Sequence, residues 1–376
     1  MLFRPDQTDP LFVDESTLES TFRLLLASDQ ADGRRTLFGL GFLAAHRTVY
    51  SILRAGRALD EVLYPDFRTC SVERPVFIVA NPRSGTTFLH RLMSLDEQFF
   101  HLRLYQTLFP SVSLLRGLEA LAELEGLVGD LLRKVVEVVE RLAFGGWDDI
   151  HRIGFNRAEE DEALFVLTLL TPAIYLMFDE VDEFRRAGFL DEAEPAVRER
   201  IVAFYRDSMR RIARAEETDG RLLEKSVLIP GRFDTMVETF PDVRFVHLVR
   251  HPYKSIPSFV SMFRSTWYVH SPSIPDDSEE VRRLADIAIE YFQRLHDRTS
   301  DVDDDRMHPK TTVLGVTSAG VSRAYPLPRI EAEGVVQDTV GDLPVVVTTT
   351  PAGSLVAYDR RVDGDAVSFQ AAGREH

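Results

Sequence analysis

The chain has 376 residues, 44% of them hydrophobic and 10% aromatic, which is ample for a buried core. Its 60 acidic and 44 basic side chains leave a formal net charge of -16, so it lacks the general basic face that displaces counterions from nucleic acid. A single cysteine, Cys70, excludes an intrachain disulfide and a cysteine cluster for zinc.

The first residues carry no run of basic, apolar and small residues of the kind that directs secretion. Residues 1–74 read as mainly helical, with Leu18, Phe22, Leu25 and Leu26 at helical spacing and a second stretch from Thr36 to Leu63. His46 falls in that stretch as a packed or solvated residue.

Residues 75–96, PVFIVANPRSGTTFLHRLMSLD, have a different character. A strand-like apolar run, Val76 to Ala80, enters the loop Asn81-Pro82-Arg83-Ser84-Gly85-Thr86-Thr87, and helical spacing resumes through Phe88, Leu89, Leu92, Met93 and Leu95. Gly85 allows close backbone approach to a ligand, and the first amides of the following helix lack intrahelical acceptors and face an anion favourably. Arg83 adds a cation, and Ser84, Thr86 and Thr87 add hydroxyl donors, so a phosphate or sulfonate fits. Ala80 and Arg83 break the G-x-x-x-x-G-K-[ST] pattern of nucleoside triphosphatases.

Residues 99–220 read as a large, almost wholly helical region, with a long amphipathic helix over Leu114 to Leu142. Within it, Glu159-Glu160-Asp161-Glu162 precedes an apolar run, Ala163 to Phe178, read as a buried helix. Thr168, Thr171 and Pro172 interrupt that run, and it is shorter than the roughly 20 residues of a membrane span, so the chain reads as cytoplasmic with no integral membrane segment. The four carboxylates suit either a solvated first turn or a proton-accepting role.

From Arg221 the pattern predicts a strand at Leu222 to Glu224, a loop with Lys225 and Ser226, a helix from about Arg232 to Thr239, and a strand at Arg244 to Val249. That order predicts a right-handed parallel crossover, with both strands beside residues 76–80. Arg250 ends the second strand, Ser258 follows eight residues on, and Asp286 to His296 has helical periodicity. An acidic linker spans 299–309, and from Lys310 short β-rich runs predict a small all-β module over 310–376. The fold class is thus α/β: a P-loop-like parallel sheet flanked by helices over 1–298, with a helical insertion at 99–220, and the β module behind the linker.

The stretch PRSGTTFLHRLMSLD resembles the 5′-phosphosulfate loop of sulfotransferases, in the branch that carries P-R-S-G-T-T. The resemblance implies transfer of a sulfuryl group from 3′-phosphoadenosine 5′-phosphosulfate (PAPS) to a hydroxyl of a sugar, glycolipid or small molecule, without a metal. It assigns the 5′-phosphosulfate to Arg83, Ser84, Gly85, Thr86 and Thr87, and the 3′-phosphate to Arg250 and Ser258, the latter at the start of the next helix. Lys225, in a K-[ST] pair at a strand end and one of only four lysines, falls to the bridging oxygen of the leaving phosphate. The E-E-D-E segment matches that branch and supplies the base, Glu160 first and Glu159 in reserve. Cytosolic relatives carry a base histidine where this chain has Val227, and no further sulfotransferase strand follows residue 298.

The segment from Arg323 to Gly373 resembles the domain of unknown function family 3179, with Thr350-Pro351-Ala352-Gly353 in place of its C-P-x-C-G-like turn. Two alternatives remain open on sequence: a P-loop nucleotide kinase or phosphatase, and a non-catalytic anion-binding remnant. The composition also resembles that of proteins from salt-loving archaea, or simply an acidic protein from a GC-rich genome.

Overall fold

Five consecutive apolar residues, Val76–Ala80, form strand β1, and all five are buried, as expected of a strand covered on both faces. The computed structural model of the chain describes residues 9–27, 33–81, 84–128, 160–218, 220–300, 313–318, 321–350, 353, 355–362 and 364–370. Helix α1 (Thr86–Met93) follows β1, and strand β2 (Phe99–His101) opens the region read as wholly helical. The short helix α2 (Glu162–Thr168) and the long helix α3 (Pro195–Glu216) precede strand β3 (Arg221–Ser226). Helix α4 (Phe233–Thr239), strand β4 (Arg244–Leu248) and helix α5 (Pro252–His270) complete the sequence that builds the sheet edge.

The sheet order is β2-β3-β1-β4, and every pairing is parallel. The predicted crossover is therefore present, with β3 and β4 on either side of β1. Register pairs Val79 with Ser226 and Ala80 with Leu248, so the chain leaves β1, β3 and β4 along one edge. In open parallel sheets ligands gather beyond that edge.

The pleat then sorts the side chains of β3. Leu222 packs with Phe77 and Val79 against Phe204, Tyr205 and Met209 of α3, whereas Leu223 packs with Val76 and Ile78 against Leu89 and Met93 of α1. Alternation puts Glu224 and Ser226 on the α3 face and Lys225 on the α1 face.

Two expectations for the helical region are corrected. Phe99–His101 is a strand, paired with Arg221–Leu223. The apolar run 163–178 is not one helix: α2 ends at Leu169, which takes a left-handed φ of 63°, and Pro172–Leu176 forms a separate single turn. Pro172 has no amide to donate to the Thr168 carbonyl, and it opens the new turn instead of extending α2. Helix Val112–Val128 covers the first half of the predicted amphipathic stretch, and the remainder lies outside the described residues.

The N-terminal helices Glu15–Ala27 and Gly33–Leu63 match expectation, and His46 is buried with its Nε2 3.1 Å from the Leu167 carbonyl. Helix Gly33–Leu63 is joined to α3 by buried guanidinium groups. Arg57 pairs with Asp9 and Asp207, and Arg211 pairs with Asp60, Glu61 and Asp207. Such groups persist in a core only when paired and hydrogen-bonded.

The chain divides into two compact units between Thr299 and Ser300. In the second, strands β5 (Val313–Ser318) and β6 (Val321–Pro326) form one antiparallel pair, and β7 (Val335–Val340), β8 (Leu343–Thr349) and β9 (Leu355–Asp359) form an antiparallel sheet. A seven-residue helix, Leu327–Glu333, joins β6 to β7, and its Ile330 enters a core with Tyr325, Val336, Val340, Val345 and Val347. Gly341 makes the β7–β8 turn with a φ of 59°. In the Thr350–Gly353 turn, the Gly353 amide donates to the Thr350 carbonyl at 2.9 Å, and Pro351 and Ala352 lie outside the described residues.

Candidate active site

The loop after β1 and the start of α1 have the local chemistry of an anion cradle. Gly85 adopts φ 91°, ψ 12°, a left-handed conformation that favours glycine. A Cβ placed on it meets no atom within 4 Å, so the space in front of its backbone is open. Ser84 Oγ donates to the Asn81 carbonyl at 2.6 Å, which closes the loop on itself. Thr86 is buried, Thr87 is half-buried, and Arg83 lies outside the described residues.

Lys225 completes this cradle from the neighbouring strand. Its side chain is 1% exposed, and its Nζ donates to Thr87 Oγ1 at 3.1 Å and pairs with Glu160 Oε1 at 2.8 Å. Three of the residues singled out in the sequence, Thr87, Glu160 and Lys225, thus meet in one place. Glu159 lies outside the described residues.

Arg250 stands two residues beyond β4, exposed, at the same edge of the sheet. Ser258 is half-buried and sits deeper in α5 than expected, because the helix already begins at Pro252. Pro257, inside the helix, cannot donate to the Tyr253 carbonyl and so interrupts the ladder just before Ser258.

Sequence reasoning missed the polar layer behind Glu160. The Asp161 amide donates to Glu224 Oε1 at 2.8 Å, and Tyr205 donates its hydroxyl to Asp161 Oδ2 at 2.8 Å. Arg232 Nη2 donates to Asp161 Oδ1 at 3.2 Å, Glu162 Oε2 at 2.8 Å and Ser226 Oγ at 3.3 Å, with its guanidinium 3.7 Å from the Phe165 ring centre. One sequence signal did exist: Glu224 is an acid directly after Leu222 and Leu223 in a strand predicted for the centre of the sheet, which calls for a buried partner.

Burial raises the Asp161 carboxyl to about 6 despite the opposing Arg232 charge. Burial and then the nearby Asp161 push Glu224 well above the ordinary carboxylate range. Burial, reinforced by Lys225, lowers His90 to about 4, leaving a neutral imidazole beneath the cradle with Nε2 3.3 Å from the Leu223 carbonyl.

The Glu224 shift has a testable sign. With a folded-state pKa above the unfolded value of 4.5, stability falls as pH rises from that value through the folded one. Glu224→Gln keeps an acceptor for Asp161 and abolishes that slope. Thermal denaturation is expected to show the variant equal to wild type in acid and increasingly more stable toward alkaline pH, by at most about 1.4 kcal/mol per pH unit. Parallel curves would show that Glu224 is ionised already.

Among the described residues, no group of three or more His, Cys, Asp or Glu side chains could hold a metal ion, and no helix is long and apolar enough to cross a membrane.

The family model described as sulfotransferase family matches residues 160–309, which include Glu160, Lys225, Arg250 and Ser258 but not the loop after β1. The model for the protein family of unknown function DUF3179 matches residues 292–374. The omega-hydroxy-beta-dihydromenaquinone-9 sulfotransferases Stf3 of Mycobacterium bovis and Mycobacterium tuberculosis are each 23% identical over 246 residues, 64% of this chain. The chain spans 58% of the length of these curated relatives. Crystal structures of sulfotransferase STF1 from Mycobacterium tuberculosis H37Rv and STF9 from Mycobacterium avium share the fold, with TM-scores of 0.56 and 0.57 and identities of 16% and 17%. The alignments cover 76% and 77% of this chain, and 74% and 72% of those chains. The chain therefore joins a sulfotransferase-family region, matched over residues 160–309, to a region of the DUF3179 family, matched over residues 292–374.

Proposed function

We propose that the chain is a sulfotransferase that moves a sulfuryl group from PAPS to a hydroxyl-bearing acceptor. The observation that carries this reading is the meeting of Lys225, Glu160 and Thr87 at the C-terminal edge of a parallel sheet, beside the open backbone of Gly85.

PAPS, when bound, supplies the sulfuryl group and a phosphate leaving group. The first amides of α1, the loop hydroxyls and Arg83 bind the phosphosulfate end, and Arg250 and Ser258 bind the 3′-phosphate. Lys225 places a positive charge where the leaving oxygen gains negative charge, the kind of preorganised stabilisation that lowers a transfer barrier. Glu160 accepts the hydroxyl proton as the acceptor oxygen attacks. The 2.8 Å contact between these two side chains in the resting protein keeps Glu160 oriented. A sugar, a glycolipid or a small molecule each supplies such a hydroxyl. The Stf3 relatives, named for a menaquinone-derived compound, make a hydroxylated isoprenoid quinone the first acceptor to try.

The test is thermal stabilisation by 3′,5′-adenosine bisphosphate against ATP, for wild type and for Arg83→Ala and Arg250→Ala. The bisphosphate is expected to raise Tm by several degrees at a concentration about a hundredfold above its Kd, with ATP weaker and each substitution reducing the effect. Equal stabilisation by ATP would favour a nucleotide kinase or phosphatase. A bisphosphate effect unchanged in both variants would remove the donor-site assignment.

A further inference from the structure

Residues 160, 161 and 162 are each held by a different group. Glu160 pairs with Lys225, the Asp161 amide is bound by Glu224, and Glu162 is bound by Arg232 and by the Thr171 hydroxyl. Glu224 and Lys225 are neighbours on β3 on opposite faces of the sheet, and they hold the Asp161 amide and the Glu160 carboxylate respectively.

Arg232 closes this arrangement. Its guanidinium is 3% exposed in its side chain, lies against the Phe165 ring and bonds both Asp161 and Glu162, the first of which also takes the Tyr205 hydroxyl. Neither carboxylate touches the cradle, but both follow directly on the one that does. Arg232 offsets the charge of the buried Asp161 and the partly exposed Glu162 beside Glu160.

We propose that Arg232 is a positioning residue of the active site, which by clamping Asp161 and Glu162 fixes the place of Glu160 against Lys225. This rests on the sulfotransferase reading and adds a residue to it. Among the described residues, the charged or titratable groups facing segment 160–162 are Lys225 and Glu224 from β3, Arg232, Tyr205 from α3, His90 from α1, and Tyr291 from helix Glu279–Ser300. Arg232 is the one cation among them that bonds the carboxylates behind Glu160.

The test uses the full chain, PAPS with labelled sulfate, and an ω-hydroxylated menaquinone as acceptor, with release of free labelled sulfate to water as the acceptor-independent measure. Arg232→Gln is expected to lower kcat by about tenfold to a hundredfold while bisphosphate stabilisation persists, since a small misplacement suffices for such a loss. Its acid limb in the pH profile is expected to move to higher pH, because Arg232 no longer offsets the Glu162 charge beside the base. Arg232→Lys should restore part of both, and Glu162→Gln, which removes an anion, should move the limb the other way.

Wild-type kcat in Arg232→Gln, or a reduced amplitude with an unmoved acid limb, overturns the inference. If that variant does not fold, Arg232→Lys and Glu162→Gln decide, and unmoved limbs in both overturn it. Wild-type protein that binds no bisphosphate and releases no labelled sulfate overturns the sulfotransferase reading itself, and the inference with it.

Discussion

Glu160→Gln is expected to lower sulfuryl transfer by roughly 10²–10⁴-fold, the range lost when a general base is removed from its reaction. The substitution preserves shape and leaves an amide oxygen to accept from Lys225 Nζ, so the 2.8 Å contact survives as a neutral hydrogen bond. The proton acceptor is all that disappears. Donor binding should persist and even tighten a little, because a negative charge beside an anionic ligand is lost. The signature is a fall in kcat with an unchanged or lower KM for PAPS, unchanged bisphosphate stabilisation, and loss of the acid limb of the pH profile. Undiminished transfer would move the proton-accepting role to another residue, with Glu159 next in line from the sequence reading.

The parallel core was legible in the sequence because a strand buried on both faces appears as an uninterrupted apolar run, as at Val76–Ala80, while the partly exposed edge strand Arg244–Leu248 was read from Phe245, Val246 and Leu248. Turn residues at Pro241-Asp242 then separated a helix from a strand, which is enough to require a crossover. Strand β2 was not legible, since three residues carry too little alternation to stand out beside helical neighbours. The apolar run after Glu162 misled for a related reason. Hydrophobicity reports burial, and burial here is shared between a short helix, a left-handed Leu169 and a separate turn.

The candidate site divides in the same way. Residues that act through local motifs, Gly85 to Thr87 and the Lys225-Ser226 pair, could be read one by one. The layer of Asp161, Glu224, Tyr205 and Arg232 could not, because it comes from four elements and exists only once β3 is sandwiched between α1 and α3. Position in the pleat, not residue type, decides that Lys225 reaches Thr87 while Glu224 beside it reaches Asp161.

Lys225→Met should be as damaging as the loss of the base, but in a different way. The lysine is 1% exposed, and it is shared between Thr87 and Glu160. Methionine fills its volume without its charge, so the leaving phosphate loses its stabilising cation, a loss of about 10²–10³-fold in kcat. The same substitution removes a cation from the anion cradle, so KM for PAPS should rise and bisphosphate stabilisation should shrink, which Glu160→Gln does not do. Folding stability is expected to drop by roughly 1–3 kcal/mol, less than for a fully enclosed pair because Glu160 is 19% exposed and can be solvated in part. Combining the two substitutions separates the roles. In Lys225→Met, Glu160 has lost the partner that orients it, so removing its charge as well should cost less than in wild type. A double variant much better than the product of the two single effects is therefore the expected result in kcat, together with recovery of part of the lost stability. Strict additivity in kcat would mean that Lys225 and Glu160 serve separate steps, and that their contact in the resting protein has no part in catalysis.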